Sequence, residues 1–261
     1  MINEIKALGY SSQDARARVC QDVVLKAIAT SNLSRNVTIK GGVVMRSITG
    51  NVRRATQDMD IDFIRYSLSD ESIDGFINKI NCLSEITIVR IGSITELNQQ
   101  DYHGKCVKIK ITDKEGSVIE SKIDLGVHKH LEIEQEEYCF DIAYDNEGAS
   151  LLINSREQMF SEKLRSLLKF GTFSTRFKDI YDMYYHCNNL SKEKLLVCLD
   201  SYIFSDPGMR ENNIFDIVNR VAKVFQNESY KSKVDQSDKR WIDAPINDIF
   251  EKILEYFRSM E

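Results

Sequence analysis

Asp58-Met59-Asp60-Ile61-Asp62-Phe63 alternates acidic and apolar residues without a break. The two-residue period of a β-strand puts its three carboxylates on one face and Met59, Ile61 and Phe63 on the other. One face is then core and the other anionic. Carboxylates two residues apart on a strand sit roughly 6.5 to 7 Å from each other and repel by about 2.5 kcal/mol at an effective dielectric near 20. Something has to offset that repulsion. A divalent cation does so directly, and magnesium's preference for one or two carboxylates together with phosphate oxygens and water suits the pattern. A solvated strand whose charges relax into water is the competing reading.

Just upstream, Asn36 to Lys40 is a short β-prone run, followed at once by Gly41-Gly42 and the helix-compatible Val43-Val44-Met45-Arg46-Ser47-Ile48. The order implied is strand, glycine turn, helix. At such a turn the missing Cβ lets backbone N–H groups approach phosphate oxygens, and the helix N-terminus adds favourable partial charge. A Gly-Gly pair is equally an ordinary way to turn a chain.

Working outward, Ser12 to Thr30 carries Val19, Val23, Val24, Ala27 and Ile28 at helical spacing, and Glu71 to Ile80 reads as a second amphipathic helix. Further β-like runs occur at Glu85 to Ile91, Cys106 to Thr112 and Val118 to Val127, with Lys114-Glu115-Gly116 joining the last two as a hairpin; Tyr138 to Ala143 adds an edge strand. After Ser155 the period becomes helical: Met159, Leu164 and Leu167, then Ile180 and Met183, then Leu195 and Leu199, and finally Ile249, Ile253 and Phe257. Asp206-Pro207-Gly208 reads as a loop and Tyr230 to Arg240 as a mobile polar connection. The fold class is therefore α+β, with a mixed sheet and flanking helices over residues 1–150 and a helical lobe over 151–261.

The 261 residues suffice for two small cores, and 42% apolar with 29% charged residues excludes a disordered or low-complexity chain. No apolar run is long enough to span a bilayer and the first residues lack the core of a signal peptide, so a cytoplasmic location with no membrane partner is expected. Six scattered cysteines without a Cys-x-x-Cys pair read as reduced thiols, and His128-Lys129-His130, lacking a third nearby ligand, as a solvent-facing turn. The net charge of -5 argues against a general nucleic-acid coat but not against a local basic surface. Lys105, Lys108, Lys110 and Lys122 form such a stripe if alternate residues of the two hairpin strands face one way; a solvated lysine face is the blander reading.

Lys40-Gly41-Gly42 followed by Arg54-Ala55-Thr56-Gln57-Asp58-Met59-Asp60 resembles the glycine turn and Asp-x-Asp of the DNA polymerase β nucleotidyltransferase superfamily, and the Arg-x-Thr-x-Asp-x-Asp form resembles its AbiEii/AbiGii toxin branch. Here 15 residues separate Gly42 from Asp58, a longer gap than the wider superfamily shows. Glu162-Lys163-Leu164 and Arg176-Phe177-Lys178-Asp179-Ile180-Tyr181-Asp182 are similar to that branch's C-terminal motifs, so the likeness spans roughly residues 38 to 186.

The resemblance implies a polymerase β-type nucleotidyltransferase fold and a third carboxylate on a later strand, for which Asp124 is the candidate. Asp58, Asp60 and Asp124 are then the catalytic and metal-binding residues, holding two magnesium ions or manganese in their place. Gly41, Gly42, Arg54, Lys163, Lys178 and Arg176 bind the nucleotide, Asp62 lies behind the ligands, and Asp179 and Asp182 position Lys178 and Arg176. Arg54 has the alternative of pairing with a carboxylate, and Arg176, Lys178, Asp179 and Asp182 that of an internal ion-pair set on one helix. Trp241 reads as helix packing. The implied activity moves a nucleoside monophosphate from a nucleoside triphosphate to an acceptor, which the toxin resemblance suggests is transfer RNA, with a cognate antitoxin as partner. Nucleotidylation of a protein hydroxyl and a non-catalytic nucleotide-binding module are the alternatives.

Overall fold

The computed structural model describes residues 1–99 and 102–260 and divides into two compact units, Met1–Asn154 and Ser155–Glu261. The first holds helices α1 (Ile2–Ala7), α2 (Ser12–Thr30), α3 (Gly41–Thr49) and α4 (Asp70–Ile80) with strands β1 (Val37–Lys40), β2 (Asp60–Phe63), β3 (Ile86–Gln99), β4 (Tyr102–Asp113), β5 (Val118–Val127), β6 (Glu136–Ile142) and β7 (Asp145–Ile153). The strands form one mixed sheet in the order β3-β4-β5-β2-β1-β7-β6, in which β2 runs parallel to β5 and β1 parallel to β7. The α+β class expected from the sequence is what the chain forms.

The period of two governs this sheet. Val37, Ile39, Ile61, Phe63, Val107, Ile109, Ile123 and Leu125 are all buried, and the Phe63 ring meets Phe76 of α4 edge-on at 5.1 Å between centroids. The alternate residues, Thr38, Lys40, Asp60, Asp62 and Asp124, share the opposite face, because directly paired residues of adjacent strands project to the same side. Helix α2 starts where Ser11 accepts the Asp14 backbone N–H at 3.1 Å, and the apolar set named from its sequence is buried. The β4–β5 hairpin turns at Lys114-Glu115-Gly116, with Asp113 Oδ1 accepting the backbone N–H groups of Glu115 and Ser117.

Several elements depart from the sequence reading. Strands β3 and β4 extend well beyond the runs expected at 85–91 and 106–112. Strand β7 crosses the boundary expected at residue 150 and lies wholly in the first unit. Its polar start Asp145-Asn146-Glu147-Gly148 leaves only Ala149, Leu151 and Ile153 to carry the alternation. His128 is buried, not solvent-facing, because it directly continues β5 and its backbone N–H donates to the Phe63 carbonyl at 2.9 Å.

The second unit holds α5 (Arg156–Phe170), α6 (Phe177–His186), α7 (Lys192–Leu199), α8 (Ile214–Phe225), α9 (Glu228–Asp235) and α10 (Ile246–Arg258). The polar stretch 230–240 is not a bare connection: its first half lies in α9, which Asn227 caps, and it buries Tyr230 and Val234. Two anchoring residues were enough to fold a segment whose average composition looked like linker. Tyr181 donates to the Val234 carbonyl at 2.8 Å, and Trp241 donates its indole N–H to Asp182 at 3.1 Å.

Asp182 is fully buried between that indole and the Lys163 ammonium, 2.9 Å away. Removing Asp182 leaves the buried Trp241 indole N–H without its acceptor and takes one of two carboxylates from Lys163, which keeps Asp179 at 2.7 Å. Losing a hydrogen-bond partner in a buried cluster costs about 1–3 kcal/mol, and more where charge is involved. Asp182→Ala is therefore expected to lower the unfolding free energy by about 3 kcal/mol in urea titration; a loss below about 1 kcal/mol would show that solvent reaches this cluster.

Candidate active site

The site is assembled around one strand crossing. Asp60 on β2 is the register partner of Lys40 on β1 and of Asp124 on β5, and the Asp124 backbone N–H donates to the Met59 carbonyl at 2.9 Å. Neighbouring strands lie about 4.8 Å apart, so the two aspartates expected to share a site are direct neighbours. Asp58 precedes β2 and is exposed. Its backbone is held from behind: the buried Gln21 of α2 donates its side-chain amide to the carbonyls of Thr56 (3.0 Å) and Asp58 (3.3 Å).

Repulsion on this face is offset by two lysines. Lys40 Nζ lies 2.8 Å from Asp62, both buried or nearly so, and Lys122 Nζ lies 2.8 Å from Asp58 in a half-exposed pair. Neither lysine was assigned this part from the sequence, where strand register and side-chain reach are invisible. Asp62 shares the face of Asp60 as the alternation requires, but it is committed to Lys40 and lies 4% exposed. Cys106, the register partner of Asp124 on β4, also faces the site; burial first, and then the hydrogen bond to Asp124, pushes its thiol up to about 11.

The glycine turn abuts these groups. Gly41 has φ +65°, a left-handed conformation that costs other residues, and a Cβ there would meet Asp60 Oδ2 at 2.5 Å. A Cβ on Gly42 would collide with the Thr56 side chain. Both positions thus need glycine for close approach: one to Asp60, the other to the segment that delivers Asp58. Gly41 and Gly42 open α3, which places their backbone N–H groups at its N-terminus.

The donor set fits a hard divalent cation. Asp60 and Asp124 offer oxygens from adjacent strands, and Asp124 Oδ1 is buried with no hydrogen-bond partner, an acceptor left unsatisfied. As the side chains stand, no three His, Cys, Asp or Glu groups among the described residues converge on one point, since Asp58 is turned to Lys122 and Asp62 to Lys40.

The remaining expected residues are elsewhere. Arg54 is buried at the end of a short 3-10 turn, Val52–Arg54, and so does not project into solvent. In the second unit Lys163 is buried against Asp179 (2.7 Å) and Asp182 (2.9 Å), and Arg176 pairs with Asp179 at 2.7 Å. Asp179 thus bridges Lys163 and Arg176; of the ion-pair set that the spacing allowed on one helix, the Arg176–Asp179 pair forms, while Asp179 and Asp182 both turn to Lys163 of α5. Asp238 has its carboxyl held below the usual range chiefly by the Lys239 hydrogen bond, with a small addition from Lys178, which is half-buried on α6.

Burial, opposed by Lys40 and reinforced by Asp124, Asp58 and Asp62, raises the Asp60 carboxyl from 3.8 to about 6. A folded-state pKa above the unfolded value means that protonated Asp60 stabilises the fold, and that this contribution is lost as pH rises from about 4 through about 6. The shift of about two units corresponds to roughly 2–3 kcal/mol. In chelator-treated protein, Asp60→Asn should therefore gain stability relative to the parent between pH 4.5 and pH 8; a stability difference that stays constant across this range in thermal melts would refute it.

Comparison with known proteins gives three results. The family model described as "Nucleotidyl transferase AbiEii toxin, Type IV TA system" matches residues 23–247. Among curated proteins there is no match. Among solved structures, an antigenic nucleotidyltransferase-like protein from Paracoccidioides brasiliensis is 15% identical with a TM-score of 0.41, over 82% of this chain and 91% of that one, a likeness too slight to bear on the fold. The family match, by contrast, runs from within α2 to the start of α10, and on that extent the chain belongs to the AbiEii family of nucleotidyl transferase toxins of type IV toxin–antitoxin systems.

Proposed function

We propose that this nucleotidyltransferase transfers a nucleoside monophosphate from a nucleoside triphosphate to a hydroxyl of an RNA acceptor, transfer RNA being the leading candidate, with Asp58, Asp60 and Asp124 as its catalytic carboxylates. The observation that carries the reading is the register pairing of Asp60 with Asp124 beside the Gly41-Gly42 turn. In this reaction the acceptor oxygen bonds to the α-phosphorus, the bond from that phosphorus to the bridging β-phosphate oxygen breaks, and pyrophosphate departs. Magnesium, when bound, would neutralise charge on the phosphates and make the attacking hydroxyl more acidic.

The chain's own groups have distinct tasks. Asp60 and Asp124, register partners on adjacent strands, would hold the cation, and Asp58 would add a third carboxylate on giving up Lys122. The unsatisfied Oδ1 of Asp124 suits it to orient the acceptor hydroxyl or take its proton. Gly41 and Gly42 present N–H groups at the α3 N-terminus to phosphate oxygens. Lys40 keeps Asp62 neutralised, so that Asp60 does not face a second bare carboxylate across one strand step. Arg54, Lys163, Lys178 and Arg176 remain the proposed nucleotide contacts; for Lys163 and Arg176, gripping a phosphate would mean competing with Asp179. Family membership implies an antitoxin as the natural partner.

Incubation with magnesium, each of four labelled triphosphates and RNA pools should label RNA, and a chelator should abolish labelling. Asp58→Ala, Asp60→Ala and Asp124→Ala are each expected to reduce transfer at least about 100-fold. Undiminished labelling in these variants would remove them from catalysis, and label in a protein band instead of RNA would assign the acceptor to a protein hydroxyl.

A further inference from the structure

Beyond Asp124 the sheet continues as β5, β4 and β3, and the face that carries the carboxylates carries lysines there. Lys108 on β4 is the register partner of Lys122 on β5, one strand step from the Cys106–Asp124 pair, and Lys110 follows on β4 opposite Glu120. The β3 residues paired with Lys108 and Lys110 are Ile91 and Val89, both partly exposed. Lys105, expected in the same stripe, is on the other face: its partner is the buried Leu125, and its ammonium lies against Asp70 and Glu96. The stripe is thus Lys108, Lys110 and Lys122.

Two lysines directly opposed on neighbouring strands have Cβ atoms about 5 Å apart, an arrangement that is destabilising unless an anion offsets it. Lys122 has Asp58, but among the described residues neither Lys108 nor Lys110 makes a salt bridge, and Lys108 and Lys122 are exposed. The acids on this face are Glu120, beside Lys110, and Asp58, Asp60, Asp62 and Asp124 at the site itself. On a chain whose net charge is -5, Lys108, Lys110 and Lys122 set against Glu120 and Asp58 leave a small excess of positive charge on the strip leading to the carboxylates.

We propose that this open face of β3, β4 and β5 is the surface on which the RNA acceptor's sugar-phosphate backbone lies, with Lys108 and Lys110 contacting phosphates and Lys122, weakly held in a half-exposed pair with Asp58, beside them. The inference rests on the RNA reading given above. The surface fits a polyanion better than a protein partner: its centre is ammonium groups, not an apolar patch, and its charge complements a phosphate chain. It directs the strand so that its reacting hydroxyl meets the Asp60–Asp124 pair.

The test separates this inference from the reading beneath it. Transfer of labelled nucleotide to RNA, RNA binding by fluorescence anisotropy across a salt series, and triphosphate affinity by calorimetry are measured on the parent, K108Q/K110Q and the control K114Q, at the tip of the β4–β5 hairpin, where Lys114 is paired with Glu85. K108Q/K110Q is expected to raise KM for RNA about tenfold and to lower the slope of log affinity against log salt by about 2, with triphosphate affinity unmoved and K114Q like the parent. An unchanged slope and KM in K108Q/K110Q, while the parent labels RNA, would overturn the docking surface alone. A parent that labels no RNA would overturn the acceptor reading and the surface with it. If the double variant folds poorly, K108Q alone should lower the slope by about 1, and an unchanged slope would again overturn the surface.

Discussion

The like charge carried by two adjacent strands is the constraint around which the first unit is organised. Asp60, Asp62 and Asp124 share one face, with Asp58 at its edge, and carboxylates at such separations repel by a few kcal/mol where water is partly excluded. A fold seldom retains such repulsion without something that answers it. Lys40 and Lys122 answer it in part. They leave the charge on Asp60 only partly offset by Lys40, and one oxygen of Asp124 without a donor, and this is where a cation would contribute most.

The two lysine pairs differ in kind. Lys40 and Asp62 are nearly dry, and a pair of that sort serves as fixed local structure. Lys122 and Asp58 are each about half exposed, 49% and 54%, so their attraction is weak and easily exchanged. The difference suits one pair to permanence and the other to release. Behind Asp58, the amide of Gln21 fixes the backbone while leaving the carboxylate free to change partners.

Much of this was legible in the sequence because it follows from a period of two. The alternation at 58–63 sorts core from site, and Gly41-Gly42 after a β-prone run marks a turn that the structure uses for close approach. Asp124 was found through family resemblance and not through spacing, since nothing local fixes which strand lies beside β2. The same gap hid Lys40, Cys106 and the true face of Lys105, all of which depend on register between distant segments. Local composition misled in two places: β7 begins with four polar or small residues, and α9 is polar apart from its two anchors, Tyr230 and Val234. In both, a few buried side chains outweighed the average.

The role proposed for Asp60 and Asp124 is to hold a divalent cation jointly beside the glycine turn. A crystal grown with manganese and a non-hydrolysable triphosphate, examined by anomalous scattering, tests it most directly. The account predicts a manganese peak within about 2.2 Å of oxygens from both Asp60 and Asp124, with Asp58 turned away from Lys122 towards the ion. A bound triphosphate with no metal density between those two carboxylates would contradict it.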